Sequence, residues 1–183
     1  MREFVCEDDR KDIKACLEGS KNAFAGIVKR YQKRITGFMW RFTRNREDLE
    51  ELVHDVFVEA YQSLPRFRGE SSLFQWLKTI GMRTGYRYWK KRDSSRVVPL
   101  DSVSQPAASQ DIGDTDIGVS LYNILERLPA RERMILTMHY FDGFDLLEVS
   151  KRLGWSYTLV RVQAHRARKI LKEKLESAGF GRK

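Results

Sequence analysis

Between residues 94 and 120 the sequence loses the means to build a core, and that break organises the rest of the chain. The stretch reads SSRVVPLDSVSQPAASQDIGDTDIGVS: serine, aspartate, glycine and proline recur, no aromatic side chain occurs, and the apolar residues follow no helical period. A segment of this kind behaves as a flexible tether. In a chain of 183 residues it leaves two flanking pieces, 1–93 and 121–183, each the size of a small domain. Both carry apolar residues three and four apart, the signature of helices with one buried face. Alternating β-branched runs are absent, so the expected fold class is all-α: two small helical domains joined by a flexible linker.

Charge follows the same division. Residues 1–93 hold 20 basic and 14 acidic side chains, and residues 121–183 hold 13 and 7, so each lobe carries +6. The tether, with one arginine against four aspartates, carries −3. Two basic lobes suit a polyanionic partner, which an acidic tether would repel. No apolar run approaches the roughly 18 residues of a membrane span. Met1-Arg2-Glu3 has no apolar run behind it, so neither a signal peptide nor membrane insertion is expected, and the expected location is cytoplasmic. Cys6 and Cys16 form no Cys-x-x-Cys pair, so neither a disulfide framework nor a metal site is expected. The histidines, His54, His139 and His165, lie far apart in sequence. No glycine-rich phosphate loop or nucleophile motif is present, so no catalytic residue, no cofactor and no enzyme activity are expected.

In the C-terminal lobe, Leu121 to Leu128 form a helix stopped by Pro129, residues 130–141 form the next, and Asp142-Gly143 makes a turn. Asp145 and Glu148 have the spacing of a reciprocal helix cap. Gly154 suits a left-handed helix end, and Ser156 suits the cap of the last helix. Two helices joined by so short a turn cross steeply. On the last helix Val160, Ala164, Ala167 and Leu171 share one face. Tyr157, Thr158, Arg161, Val162, His165 and Arg166 lie opposite, followed by Arg168, Lys169 and Lys172. A recognition helix is arranged this way, its first half toward base edges and its basic second half toward phosphates. A plain helical hairpin with a solvated basic face fits the same spacing.

The N-terminal lobe opens with a short charged helix over 8–18, with Ile13 and Leu17 on one side. A helix from Asn22 to Arg44 buries Phe24, Ile27, Val28, Tyr31, Ile35, Phe38, Met39 and Phe42. The next, from Asp48 to Leu64, buries Leu52, Val53, Val56, Phe57, Ala60, Tyr61 and Leu64 and ends at Pro65. Between 47 and 65 there are six carboxylates (Glu47, Asp48, Glu50, Glu51, Asp55 and Glu59) and no lysine or arginine. In a basic chain such a face suits a protein partner with a basic surface, although simple solvation also accounts for it. Ser72 and Gln75 can cap a fourth helix reaching about Arg92. Leu73, Trp76, Leu77, Ile80, Thr84 and Tyr88 face its core side, and Lys78, Arg83, Tyr86, Arg87, Lys90 and Lys91 the other, with Tyr86 and Trp89 the less easily buried rings. Cations interleaved with aromatics suit single-stranded nucleic acid.

DLEELVHDVFVEAYQSLPRFRGESSLFQWL (48–77) resembles the core-polymerase-binding helix and following loop of bacterial sigma-70 family factors. LERLPARERMILTMHYFDGFDLLEVSKRLGWSYTLVRVQAHRARKIL (125–171) resembles sigma region 4. With only these two lobes and a short linker, the chain is similar to the extracytoplasmic-function (ECF) subgroup. The resemblance implies that 1–93 is a region 2 helical bundle, 94–120 the linker and 121–183 a region 4 helix-turn-helix. It implies polymerase binding through Asp48, Glu51, His54, Asp55, Val58 and Glu59. It implies contact with the melted −10 strand through Arg66, Arg68, Ser71, Arg83, Tyr86, Arg87 and Lys90. The −35 duplex falls to Tyr157, Thr158, Arg161, Val162, His165, Arg166, Arg168 and Lys169. The implied partners are core RNA polymerase (β′ clamp and β flap), promoter DNA and an anti-sigma factor. Three positions depart from common family patterns: Arg83 for Asn, Val162 for Ser and Gln163 for Arg. The alternative is a stand-alone helix-turn-helix regulator, which leaves the acidic helix and the 66–92 segment without a role.

Overall fold

The computed structural model describes residues 5–95, 122 and 124–177. The chain divides into two compact units, the first ending at Tyr88 and the second starting at Trp89. Every regular element among the described residues is helical. Most of the tether, from 96 to 120, lies outside the described residues, as does Leu121.

In the first unit α1 (Glu7–Leu17) opens with Glu7, Asp8 and Asp9, which complement the positive end of the helix dipole. Ile13 is buried, whereas Leu17, expected beside it, is 55% exposed. The element is anchored by polar groups instead. Asp9 is 2% exposed and accepts from Arg30 at 2.5 Å and from the Tyr31 hydroxyl at 2.7 Å. Arg30 also reaches Asp12 at 2.7 Å. Burial, and then the bond to Asp9, pushes the Tyr31 hydroxyl well above its ordinary value of about 10. The folded chain thus holds the neutral phenol more tightly than the unfolded chain does. The stability tied to that proton is complete below about pH 10 and is lost as pH rises through the raised value. Urea midpoints of the wild type should therefore fall between about pH 9 and about pH 11 by more than those of Tyr31→Phe; parallel curves would refute the linkage.

Helix α2 (Lys21–Met39) ends earlier than its apolar spacing suggests. Phe42 N–H donates to Met39 O at 2.9 Å in a tight turn, which brings the Phe42 ring into the core without further helix. Thr43 Oγ1 then accepts from Asn45 N–H at 3.1 Å, and Asn45 caps α3 (Arg46–Ser63) by accepting from Asp48 N–H at 2.9 Å. Leu49, Leu52, Val53, Val56, Phe57 and Ala60 of α3 are buried. Tyr61, expected with them, is 43% exposed and meets Phe24 edge-on at 5.0 Å. Pro65 sits in the short 3-10 turn Leu64–Arg66 that closes this segment.

Helix α4 (Leu73–Ser95) starts where Ser72 Oγ accepts from Gln75 N–H at 3.3 Å, and it continues past the expected end near Arg92. Leu73, Leu77 and Ile80 are buried. Gly81 packs against Met39 and Phe38 of α2, and a methyl group at Gly85 would overlap the ring of Phe42 in the turn after α2. Phe42 is 1% exposed and has nowhere to go. Gly85→Ala should therefore cost about 1–3 kcal/mol through overpacking, despite alanine's better helix propensity. A thermal melt no lower than wild type would show that the contact relaxes.

In the second unit Trp89, one of the two rings expected to be less easily buried, is 2% exposed. The Arg133 guanidinium lies 4.6 Å from its ring centroid and donates to the carbonyls of Glu126 and Leu128. Asp93 accepts from Ala130 N–H at 2.6 Å, at the start of α5 (Ala130–Leu136). From Thr137 to Phe141 the helix widens into a π turn, closed by Asp142 N–H on Thr137 O at 3.3 Å. Then come α6 (Leu146–Leu153) and α7 (Tyr157–Ser177). Leu125, Leu128, Leu136 and Ala167 form a buried cluster, with Ile170 and Leu171 packed on it.

Candidate nucleic-acid interface

The α6–α7 pair is built by its caps. Asp145 accepts from Glu148 N–H at 2.7 Å, and Glu148 accepts from Asp145 N–H at 3.1 Å. Gly154 ends α6 at φ 68°, a left-handed conformation that favours glycine. Trp155 N–H returns to Ser150 O at 3.0 Å. Ser156 then accepts from Leu159 N–H at 3.3 Å and starts α7. Val160, Ala164 and Ala167 turn inward. Tyr157, Thr158, Arg161, Val162, His165, Arg166, Arg168 and Lys169 are all exposed. The two aspects of this helix therefore divide as the spacing predicts. Gln163 falls on the inner side at 9% exposure, so its departure from the family pattern changes a packing position.

In the first unit the residues assigned to α3 separate into two groups. Glu51, His54, Asp55 and Val58 are exposed, and their i, i+3, i+4, i+7 spacing makes a single stripe. Asp48 and Glu59 are half-buried and turn toward α4. Asp48 accepts from the Tyr88 hydroxyl at 2.6 Å, and Glu59 pairs with Arg87 at 2.5 Å. Beside the stripe an open groove of about 630 Å³ runs between α2 and α3, lined by Phe24, Val28, Val53, Phe57 and Tyr61.

The remaining candidates lie in the loop before α4 and along α4. Arg66 and Arg68 are exposed, and Ser71 is half-buried with its hydroxyl on Ser72 O at 3.4 Å. Gly69 takes φ 66° in the same loop. Arg83 and Lys90 are exposed, and Tyr86 is half-buried. Arg87 is exposed as well, but its guanidinium is held by Glu59 and by Thr84 at 3.2 Å.

Two features escape sequence reading. Arg34 on α2 and Arg41 in the turn after it stack on Phe74 and Phe38, with Lys78 between the rings. The signal available was the i, i+4, i+7 run Arg34, Phe38, Arg41. Tyr140, Phe141 and Leu147 in the second unit are exposed by 58%, 61% and 46%. The π turn puts Tyr140 and Phe141 off the register of the inward face.

Residues 27–95 match the model of sigma-70 region 2, and residues 118–171 match sigma-70 region 4. The chain belongs to the sigma-70 family. Its make-up of these two regions is that of the ECF subgroup, and sigma factors serve transcription initiation at promoters. Among its relatives, the ECF RNA polymerase sigma-E factor of Haemophilus influenzae is 27% identical, over 92% of this chain and 95% of that one. RNA polymerase sigma factor YlaC of Bacillus subtilis is 28% identical, over 85% and 93%. Among solved structures, CnrH in complex with the cytosolic domain of CnrY shares the fold of this chain at TM-score 0.58 and 21% identity, over 93% of this chain and 99% of that one. The Bartonella quintana sigma factor RpoE, in complex with the anti-sigma factor NepR, shares it at TM-score 0.56 and 23% identity, over 84% and 96%.

Proposed function

We propose that this ECF sigma factor uses α3 for one partner, the 66–72 loop with α4 for a second, and α7 for a third contact. The observation that carries the reading is the opposite sign of the first two surfaces. The outward stripe of α3 is acidic, whereas the 66–72 loop and α4 present cations and rings. The stripe of Glu51, His54, Asp55 and Val58, flanked by Asp48 and Glu59, docks on the β′ clamp of core RNA polymerase. Arg66, Arg68, Ser71, Arg83, Tyr86, Arg87 and Lys90 hold the melted −10 strand. Tyr157 to Lys169 lie along the −35 duplex, with the β flap as the polymerase contact of this unit. Residues 1–93 are then region 2, 94–120 the tether and 121–183 region 4.

In this role the chain does no bond chemistry of its own and works in the cytoplasm with polymerase. An anti-sigma factor is a fitting further partner, as NepR is in its complex with RpoE. Run-off transcription tests the reading. Core polymerase with the chain should initiate at defined −10/−35 promoters, and the chain alone should bind duplex promoter poorly. Tight duplex binding without polymerase, together with no added initiation, would mark a stand-alone regulator instead.

A further inference from the structure

Asp9 and Tyr31 are buried, so neither meets DNA or polymerase, yet both lead to the 66–72 loop. The loop starts from the Leu64–Arg66 turn, where Leu64 is buried and Phe67 N–H donates to Leu64 O at 3.0 Å. That turn lies against α1. The loop ends where α4 begins, and the Phe74 ring there stacks on Tyr31, with centroids 6.1 Å apart and planes 12° from parallel. Across the loop Phe67 meets Trp76 at 4.9 Å. The start of the loop therefore rests on the helix that carries Asp9. Its end rests on the ring whose hydroxyl donates to Asp9 at 2.7 Å.

The same polar cluster sets where α1 sits. Apolar packing is non-directional, and α1 offers little of it, since Ile13 is buried but Leu17 is not. Asp9 and Asp12 instead share Arg30, one at each terminal nitrogen. Gly26 leaves room on α2 for Asp12, because a Cβ there would come within 3.1 Å of its Oδ2. A buried ion pair adds little net stability over apolar packing of the same volume, and the best-attested use of such groups is to fix register. A shift of α1 along α2 breaks the Asp9 and Asp12 bonds together.

We propose that Asp9, Arg30 and Tyr31 form a clamp that positions the 66–72 loop for strand binding. Asp9 acts through α1 at the start of the loop, and Tyr31 acts through Phe74 at its end. Both are positioning residues and touch no nucleotide. The inference rests on the assignment of this loop to the −10 strand. A loop held at both ends is ordered before its ligand arrives, so binding does not bear the ordering cost. With the clamp broken, only the molecules whose loop is in the competent arrangement bind, and apparent affinity falls by that fraction.

The test uses reconstituted holoenzyme with two fluorescent single-stranded oligonucleotides, one carrying the −10 element and one scrambled, beside amide hydrogen exchange of the free chain. Variants are compared at a temperature where their melts show them folded. In Asp9→Ala and in Tyr31→Leu, preference for the −10 oligonucleotide should fall about tenfold, as for a competent fraction of about a tenth. Binding of the scrambled strand and of core polymerase should be unchanged, and the amides of 66–72 should exchange faster. Tyr31→Phe, which keeps the stacked ring and loses one bond, should stay within about threefold of wild type. Tyr31→Leu carries the comparison if Asp9→Ala does not fold. Equal loss on both strands and on core polymerase would mean general destabilisation and would overturn the clamp. Unchanged preference in both variants would overturn it as well. If wild-type holoenzyme does not prefer the −10 oligonucleotide, the −10 assignment has failed. Exchange then decides the clamp by itself, and wild-type exchange of the loop in Tyr31→Leu would overturn it.

Discussion

Charge reversal at Glu51 and Asp55 should lower affinity for core RNA polymerase by about a hundredfold or more. Both side chains are exposed on the α3 stripe, one turn apart. Reversing them places like charges against a basic partner, and such juxtaposition costs several kcal/mol, with each 1.4 kcal/mol worth about a factor of ten. Stability should change little, because exposed charges contribute roughly 0–1 kcal/mol to folding. Titration of labelled chain with core polymerase, beside a thermal melt, separates the two effects. A folded Glu51→Lys/Asp55→Lys chain with wild-type affinity would move the docking surface elsewhere on the first unit.

Removal of Arg161 and Arg166 should erase much of the preference for a −35 sequence. The two lie at i and i+5 on the exposed side of α7, both in its first half. A helix entering the major groove by that half brings such side chains to base edges. Each bidentate contact to guanine is worth about 1–3 kcal/mol of discrimination, so the double alanine variant should lose about 2–6 kcal/mol at two base positions. Alanine at Arg168 or Lys169 should weaken all promoters alike, since phosphate contacts carry no sequence information. Val162, at 44% exposure, offers only apolar contact, and the base beneath it should be weakly specified or favoured for a thymine methyl. A −35 library selected with wild type and with Arg161→Ala/Arg166→Ala checks this. Identical preferred sequences would mean that α7 lies across the duplex in another orientation.

The parts legible in the sequence are those set by neighbours in the chain. Asp145 with Glu148, Gly154 and Ser156 act within one turn of themselves, and all three caps are present. The inward face of α7 follows from a period that the helix itself imposes. Most of what escaped depends on residues far apart. Trp89 is buried because Arg133 covers it, and no local pattern in 73–95 announces that arginine. Tyr61 lies on the apolar side of α3 by count, but it sits at the mouth of the α2–α3 groove and stays open to water. Helix α2 stops at Met39 although the apolar spacing continues, because Thr43 and Asn45 offer the backbone a turn and a new cap. The stacking of Arg34 on Phe74 depends on two helices lying side by side, a relation that periodicity along one helix does not contain. The acidic run on α3 was visible as a run. That Asp48 and Glu59 turn from it toward α4 was not.

Those two turned carboxylates bear on how any mutational map of this protein is interpreted. Asp48 to Tyr88 and Glu59 to Arg87 are cross-braces between the helix assigned to polymerase and the helix assigned to DNA. A single substitution at Glu59 removes a charge from one surface and, in the same stroke, releases a guanidinium on the other. Phenotypes at Glu59 and Arg87 should therefore be non-additive, with the double variant milder than the two single defects combined. Thermodynamic reciprocity adds a second consequence: if docking shifts these braces, strand binding and docking strengthen each other by the same factor.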